Sequence, residues 1–244
     1  MKRAVELSTD KKAVKGSRMV WRAGKILAFA LIALFMLMPL FWIFSSSLRL
    51  PKDSFKLPPS FLPTSFNISN YKEVFQLIPL KSYLVNSVIV TVTATAVQCA
   101  ISSSAAYAFA RLKFRGNHGF LLMILSGMMI PVQATVVPLY ILFSKIGLVN
   151  TRISIILPLL ISPLGIFIIK QYMQSIPKSY DEAAIIDGAS QFQVFTKVIL
   201  PMAKPSVVVV AMLTFVTSWN DFFRPLIFIT SSEKMTLPIG MTVL

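Results

Sequence analysis

The residues whose types and spacing suit catalysis or binding lie in one polar stretch, residues 179–205, which reads SYDEAAIIDGASQFQVFTKVILPMAKP. Glu182 and Asp187 are the two carboxylates there that an acid–base pair would use. General acid–base catalysis also needs a substrate pocket and tuned pKa values, and the stretch holds no partner histidine and no set of metal ligands. The single cysteine and single histidine of the chain, Cys99 and His118, stand far away in sequence. We therefore expect no catalytic residues, no metal and no cofactor.

The same stretch has the pattern of two short helices joined by a turn. Ser179 suits an N-cap, with Glu182 three residues later completing a capping box. Gly188 suits a left-handed helix end, and Ser190 suits the cap of a second helix. Apolar residues then recur at helical spacing, and Pro201 begins the break before the next apolar run. Glu182 has two open roles: capping a helix or contacting another protein.

Long apolar runs on both sides of this stretch determine the class of fold. The chain is 55% hydrophobic and only 14% charged, and a run of about 20 apolar residues crosses a bilayer. The runs are too long and too continuously apolar for the alternating strands of a membrane barrel. We predict an all-α, polytopic membrane bundle in the lipid bilayer, with five spans at Ile26–Leu48, Tyr83–Phe109, Phe120–Phe143, Ile153–Ile169 and Ser206–Ile229.

The distribution of basic residues predicts the orientation of these spans. The net charge is +15, but the Lys and Arg residues lie at span ends rather than on one folded face, so we exclude a nucleic-acid partner. Of the 24 Lys and Arg residues, the tail and the loops after spans two and four hold about 15. Because Lys and Arg favour the cytoplasmic side, the N-terminus is predicted to be cytoplasmic.

This pattern divides the chain into four parts. A basic cytoplasmic tail covers 1–25, the first span 26–48 and an extracytoplasmic loop 49–82, with a short helix expected at NYKEVFQ. The remaining core covers 83–244 and includes the polar loop, taken as 173–205. Prolines inside the third and fourth spans predict bent helices, whose freed carbonyls need other partners.

Polar residues within the spans are costly in lipid and often functional. Asp221 and Arg224 are three residues apart in the fifth span and can pair. They either contact substrate near the outer mouth, as a gate, or fix the end of the span. The other candidates for the translocation path are Asn86, Gln133 and Asn220. Asn86, Gln98 and Gln133 have two open roles, hydrogen bonding to a sugar or to a neighbouring helix.

A longer pattern in the loop resembles a known signature. Glu182-Ala183-Ala184, three residues, Gly188, nine residues and then Val198-Ile199-Leu200-Pro201 resemble the EAA motif of the membrane subunits of ABC importers. That family usually has Ile at the position of Val198. The resemblance implies that Glu182, Ala183, Ala184, Asp187, Gly188 and Pro201 couple the chain to a separate ATPase.

The stretches YLVNSVIVTV, PLYILFSKIGLVNTR and SWNDFFRPLIF resemble the carbohydrate, MalG-like branch of that family. The resemblance implies a multi-pass permease in a bacterial inner membrane. Its partners would be a homologous second permease, two copies of a cytoplasmic ATPase and an extracytoplasmic solute-binding protein. The chain has no GxxxxGK[ST] loop, so ATP hydrolysis falls to the partner.

The resemblance leaves two alternatives and one departure. The alternatives are a permease of the same superfamily for an amino acid, phosphate or polyamine, and a membrane scaffold or intramembrane enzyme. Members of the family usually end with a sixth span, whereas this sequence stops at Leu244. We therefore expect a span of about 20 residues to be missing.

Overall fold

A computed structural model describes residues 2–50, 62 and 66–243, with side chains described from residue 21 onward except residue 23. The described residues form helices and turns, and no strand is found among them. The chain divides into two compact units, Met1–Val74 and Phe75–Leu244. Most of the predicted extracytoplasmic loop, residues 51–61 and 63–65, lies outside the described residues.

The first unit is built on one long helix, α1, at Lys2–Ser47. Its apolar part, Gly24–Ser47, is 24 residues long with a mean hydropathy of 2.6, and its most apolar window of 18 residues contains no buried residue. The basic tail is therefore helical and continuous with the first span, and residue 25 marks a change of composition rather than of structure. The short helix predicted at NYKEVFQ is confirmed as α2, Ser69–Leu77.

The second unit is arranged around α3, Leu80–Arg111, an unbroken helix of 32 residues with a mean hydropathy of 1.8. Its small and polar residues allow close helix packing and face two other long helices. These are α7, Pro163–Ser175, and α10, Lys204–Trp219. The other helices are α4 Asn117–Ser126, α5 Val132–Lys145, α6 Arg152–Ile156, α8 Ser179–Ile186, α9 Gln191–Met202, α11 Phe223–Phe228 and α12 Leu237–Gly240.

Three apolar helix pairs are bent, as the prolines predict. Asn117–Met129 and Val132–Lys145 meet at 99°, with Pro131 at the junction. Arg152–Leu159 and Pro163–Ser175 meet at 40°. Proline has no N–H to donate to the preceding helical turn, so a helix cannot continue unchanged through it. In each pair the chain changes direction where a proline lies at the start of the second helix. Within the part of the chain that the structure describes, two single helices are long and apolar enough to cross a membrane, and up to five such spans result when each bent pair counts as one.

The fifth span differs from its prediction. The expected run Ser206–Ile229 is not one helix, because α10 ends at Trp219 and a separate helix, α11, begins at Phe223. The break that Pro201 predicts before this run is present, because Gln191–Met202 and Lys204–Trp219 meet at 75°. The apolar character of the run continues through the break after Trp219, so hydropathy alone does not reveal it.

Candidate functional site

The first helix of the polar loop, α8, begins without the predicted cap. Lys178 is the N-cap residue and already has helical backbone angles, φ −65° and ψ −21°, and no side chain caps the helix. An N-cap serine needs an extended backbone to reach the free N–H groups. Ser179 lies inside the first turn instead, so the capping box of Ser179 and Glu182 is wrong. Asp181 and Glu182 still place negative charge near the positive end of the helix.

The end of α8 confirms the role expected of Gly188. Gly188 has φ +84°, its N–H donates to the Ile185 carbonyl at 3.0 Å, and the Ala189 N–H donates to the Ala184 carbonyl at 2.9 Å. This pair of bonds is a Schellman motif, which needs a left-handed residue. The motif reverses the chain tightly and leads directly into the second helix.

The second helix of the loop, α9, starts with the capping box that the first one lacks. The Ser190 hydroxyl accepts from the Gln193 N–H at 3.4 Å, and the Gln193 side-chain oxygen accepts from the Ser190 N–H at 2.8 Å. The middle of the helix, Val194–Ile199, is π-helical. Pro201 follows this segment within the same helix, and the bend comes at Ala203.

Both loop helices are held by the end of α3. The Arg111 guanidinium donates to the Ile176 carbonyl at 2.8 Å and lies 3.4 Å from the Asp181 carboxylate. The Tyr107 hydroxyl lies 3.1 Å from the side-chain oxygen of Gln191. Ala184 and Ala189 complete the packing against a buried apolar cluster formed by Ala106, Tyr107, Ile169, Met173, Ile176, Val194, Ile199, Ala203 and Val210.

The opposite face of the loop is exposed and partly apolar. Glu182, Ala183, Asp187 and Gly188 are exposed. So are large apolar side chains: Ile186 is 85% exposed and Phe192 is 73% exposed. Four of the predicted coupling residues therefore share an exposed surface, whereas Ala184 packs inward. We call this surface the loop face, and it consists of Glu182, Ala183, Ile185, Ile186, Asp187, Gly188 and Phe192.

Asn86 lies at the other end of α3, and its side chain is fully bonded to the protein. Its amide nitrogen donates to the Glu233 and Met235 carbonyls at 2.8 and 2.9 Å, and its oxygen accepts from Arg152 at 2.8 Å. It is 1% exposed. In this structure Asn86 therefore joins helices and the segment near Met235, which is the role of bonding to neighbours.

Asp221 and Arg224 form the expected ion pair, with 2.9 Å between the carboxylate and the guanidinium. Asp221 also accepts the Arg224 N–H at 3.3 Å, which satisfies a free N–H group in the first turn of α11. Asn220 is exposed and donates to the Val216 carbonyl at 2.8 Å. Gln133 is exposed on α5. Their assignment to a translocation path stays a prediction.

These polar residues do not converge on one centre. Among the described residues, no hydrogen bond or ion pair joins Asn86 or Gln133 to the Asp221–Arg224 pair. In the same part of the chain, no group of three His, Cys, Asp or Glu side chains is placed to hold a metal ion.

Sequence reasoning missed the residues that hold these elements in place. Tyr107 and Arg111 read as the ordinary end of an apolar span, and the partner of Arg111 is 70 positions away in the chain. Asn150, which has a left-handed backbone with φ +62°, was missed as well. The signal for Ser190 and Gln193 was present, because Ser-x-x-Gln is itself a capping-box pattern.

Helices bent at prolines, a core around one long span and a folded polar loop define a polytopic membrane subunit. The family model of the binding-protein-dependent transport system inner membrane component matches residues 98–243. The chain belongs to this family. It is therefore a multi-pass permease and a transport subunit rather than an enzyme, and it works with an ATPase and a substrate-binding protein.

Individual relatives agree with this assignment. The arabinooligosaccharides transport system permease protein AraQ of Halalkalibacterium halodurans is 33% identical, over 89% of this chain and 79% of the relative. The sulfoquinovosyl glycerol transport system permease protein SmoH of Agrobacterium fabrum is 31% identical, over 90% and 79%. A crystal structure of a bacterial ABC transporter involved in the import of the acidic polysaccharide alginate has the same fold, with a TM-score of 0.78 at 24% identity, over 93% of this chain and 80% of that one.

Proposed function

We propose that this permease forms half of the translocation pathway of an ATP-driven importer of a sugar or oligosaccharide. A second, homologous permease forms the other half, and each permease docks on one of two ATPase copies. The loop face is the docking surface, with α8 as the coupling helix. ATPase closure moves this helix and changes which side of the membrane the pathway opens to.

The exposed loop face is the observation that carries this proposal. It contains apolar side chains in a polar loop, where exposed apolar surface is typical of a protein–protein contact. Ile186 and Phe192 are far more exposed than the core residues beside them. Ala183 has a short side chain, which allows a partner to approach the helix backbone closely. Asp181, by contrast, is turned inward and paired with Arg111.

Docking on a cytoplasmic ATPase requires the loop to be cytoplasmic. The excess of Lys and Arg on the same side as the loop supports that placement. The same charge distribution supports a cytoplasmic N-terminus. The sugar assignment is supported by the relatives, since AraQ and SmoH carry the names of sugar-containing solutes. We extend that class of solute to this chain as part of the proposal.

Affinity purification of the tagged chain from native membranes tests the docking assignment. We expect the parent chain to recover an ATPase, a second permease and a sugar-binding protein, as identified by mass spectrometry. The variant Glu182→Lys reverses a charge on the exposed loop face without disturbing a buried contact. It should lose the ATPase while keeping normal membrane insertion.

The matched control is Glu233→Lys, which makes the same charge change at an exposed position outside the loop. This variant should keep the ATPase. Equal ATPase recovery with both variants would show that the loop face is not the docking surface. Recovery of a binding protein for a different solute would overturn the sugar assignment alone.

A further inference from the structure

The end of α3 that holds the loop does so with two side chains one helical turn apart. Tyr107 and Arg111 are at positions i and i+4, so both lie on the same side of the helix. Arg111 contacts the first loop helix and Ile176, which ends the preceding helix α7, and Tyr107 contacts the second loop helix. The two loop helices are thus attached together to one span that is not their neighbour in sequence.

Arg111 makes the attachment to α8. Its side chain is only 5% exposed, and that of Asp181 is 15% exposed. One guanidinium nitrogen donates to the Ile176 carbonyl at 2.8 Å, and Nε faces the Asp181 carboxylate at 3.4 Å. Ile176 is the C-cap residue of α7 and Asp181 lies in the first turn of α8. Arg111 therefore bridges the joint between these two helices.

Tyr107 makes the attachment to α9. Its hydroxyl lies 3.3 Å from the Gln191 carbonyl and 3.1 Å from the Gln191 side-chain oxygen, and its single hydrogen is shared between these two acceptors. Its ring lies 4.9 Å from the ring of Phe195, measured between centroids. Tyr107 is 6% exposed. Tyr107 therefore attaches α9 to α3 through both a polar and an aromatic contact.

The other end of α3 is attached in a similar way to the segment after α11. The Tyr83 hydroxyl lies 2.8 Å from the Ser232 hydroxyl. Asn86 donates to the Glu233 and Met235 carbonyls, and the Ser87 hydroxyl accepts from the Leu237 N–H at 2.7 Å. Three residues of α3 thus make four hydrogen bonds to residues 232–237.

The helices next to the loop in sequence are less direct connections. α7 ends at Ser175, and its C-cap residue Ile176 has an extended backbone with ψ 127°. α9 meets α10 at a bend of 75°. α3 is unbroken over 32 residues, which corresponds to about 48 Å at 1.5 Å per residue.

We propose that α3 transmits movement of the loop to the segment 232–237, and that Tyr107 and Arg111 are the positioning residues that attach the loop to it. This inference rests on the proposed function, because ATPase docking is what moves the loop. A rigid element attached at both ends is a physical route for coupling between two distant sites. Neither Tyr107 nor Arg111 belongs to the loop face, so their loss should leave docking intact.

The test uses the complex purified with its ATPase and a fluorophore that responds to its surroundings at position 233. Glu233 is exposed, so Glu233→Cys provides the labelling site. Cys99→Ser removes the one native thiol. The probe for ATPase closure is ADP trapped with vanadate. In this background we expect a fluorescence change on trapping. Tyr107→Phe, Arg111→Gln and Asp181→Asn should each reduce that change about fivefold or more, the lower end of ordinary coupling between sites.

The retained ATPase distinguishes this result from a loss of docking, and its vanadate-sensitive hydrolysis should persist. The double variant Arg111→Gln/Asp181→Asn should be no worse than the more severe single variant, since the two side chains act through one contact. Arg115→Gln and Tyr172→Phe are the matched controls, because both residues are exposed. They should behave as the parent does.

Tyr107→Phe keeps the ring contact with Phe195 and removes only the hydroxyl, so it tests the proposal even where Arg111→Gln fails to fold. A parent-sized change in Tyr107→Phe and in any folded Arg111→Gln, with the ATPase bound, would overturn the inference and leave the proposed function standing. No change in the parent complex on trapping would overturn it too. Absence of an ATPase from the parent complex would overturn the proposed function, and this inference with it.

Discussion

Thr214 donates a hydrogen bond of 2.6 Å to the side-chain oxygen of Gln98, which joins α10 to α3 in the interior of the bundle. Gln98 is 0% exposed, and its amide nitrogen donates to the Ser102 hydroxyl at 3.0 Å. An unpaired amide in this position would be costly in lipid. The bond thus explains how a glutamine is accommodated among apolar residues.

Removal of this bond should weaken the packing of α3 on α10. Thr214→Val keeps the shape of the side chain and leaves the Gln98 oxygen without its donor. We expect a loss of about 1 kcal/mol in the free energy of unfolding, within the range for hydrogen bonds between membrane helices. Unfolding in mixed micelles at increasing SDS measures the change. Thr217→Val is the control, because the Thr217 hydroxyl bonds only carbonyls of its own helix; an equal loss there would contradict the assignment.

Gly165 permits the close approach of α7 to the same glutamine. A Cβ atom at this position would lie 2.6 Å from the Gln98 amide nitrogen and 3.1 Å from the Ser102 hydroxyl oxygen. Gln98 cannot move aside without losing its hydrogen bonds to Ser102 and Thr214. Gly165→Ala should therefore cost roughly 1–3 kcal/mol, as overpacking usually does, and lower the temperature at which the purified protein aggregates in detergent.

The comparison for Gly165 is Gly119→Ala in α4, where nothing lies within 4 Å of the added atom. In a helix, alanine is favoured over glycine by about 1 kcal/mol, so this variant should be neutral or slightly more stable. A Gly165→Ala protein as stable as Gly119→Ala would contradict the close approach.

Gly188 tests the backbone of the loop apart from its side chains. A Cβ atom there meets nothing within 4 Å, but the residue has φ +84°. Gly188→Ala should cost about 1–2 kcal/mol from the left-handed conformation alone. Gly188→Pro should do far more, since proline cannot adopt this φ and removes the N–H bonded to Ile185. ATPase recovery should fall in that order while membrane insertion is unchanged; full recovery with Gly188→Pro would show that the turn is not required.

Asn150 offers a similar separation of backbone and side-chain effects. It has φ +62°, donates to the Ser231 hydroxyl at 2.7 Å and accepts from the Thr230 and Ser231 N–H groups at 3.2 and 3.1 Å. Asn150→Gly loses these bonds but suits the left-handed backbone. Asn150→Ala loses the same bonds and also strains the backbone.

We expect Asn150→Ala to be less stable than Asn150→Gly by about 1 kcal/mol, the penalty for a left-handed alanine. Both variants should increase proteolysis near residues 230–234, because Asn150 is what holds the start of that segment. Cleavage at the parent rate in both would mean that the segment is held by its other contacts.

Much of the architecture follows from local features of the chain. Apolar runs such as that of Gly24–Ser47 require helices, since no other element satisfies the backbone within a single lipid-exposed segment. Pro131 and Pro163 predict bends because each lacks an N–H, and the helical hydrogen bond is lost at the proline itself. Gly188 and Ser190 predict a helix end and a helix start for the same reason: the turn chemistry is contained within a few residues.

The failures arose where distance in the chain or competing local geometry decides. Ser179 matched a cap pattern, but Lys178 had already adopted helical angles, so the helix began too early for that cap. The break after Trp219 was hidden because hydropathy reports burial in lipid and not helix continuity.

The particular partners were decided by the tertiary structure alone. Arg111 meets Asp181, Thr214 meets Gln98 and Asn86 meets Arg152 only because the helices pack in one arrangement, and one sequence carries no record of contacts between residues 66 to 116 positions apart. Composition and local turn chemistry are properties of short segments and are therefore readable from the chain. Hydrogen bonds between helices depend on rotation and register, which are set by packing over the whole bundle.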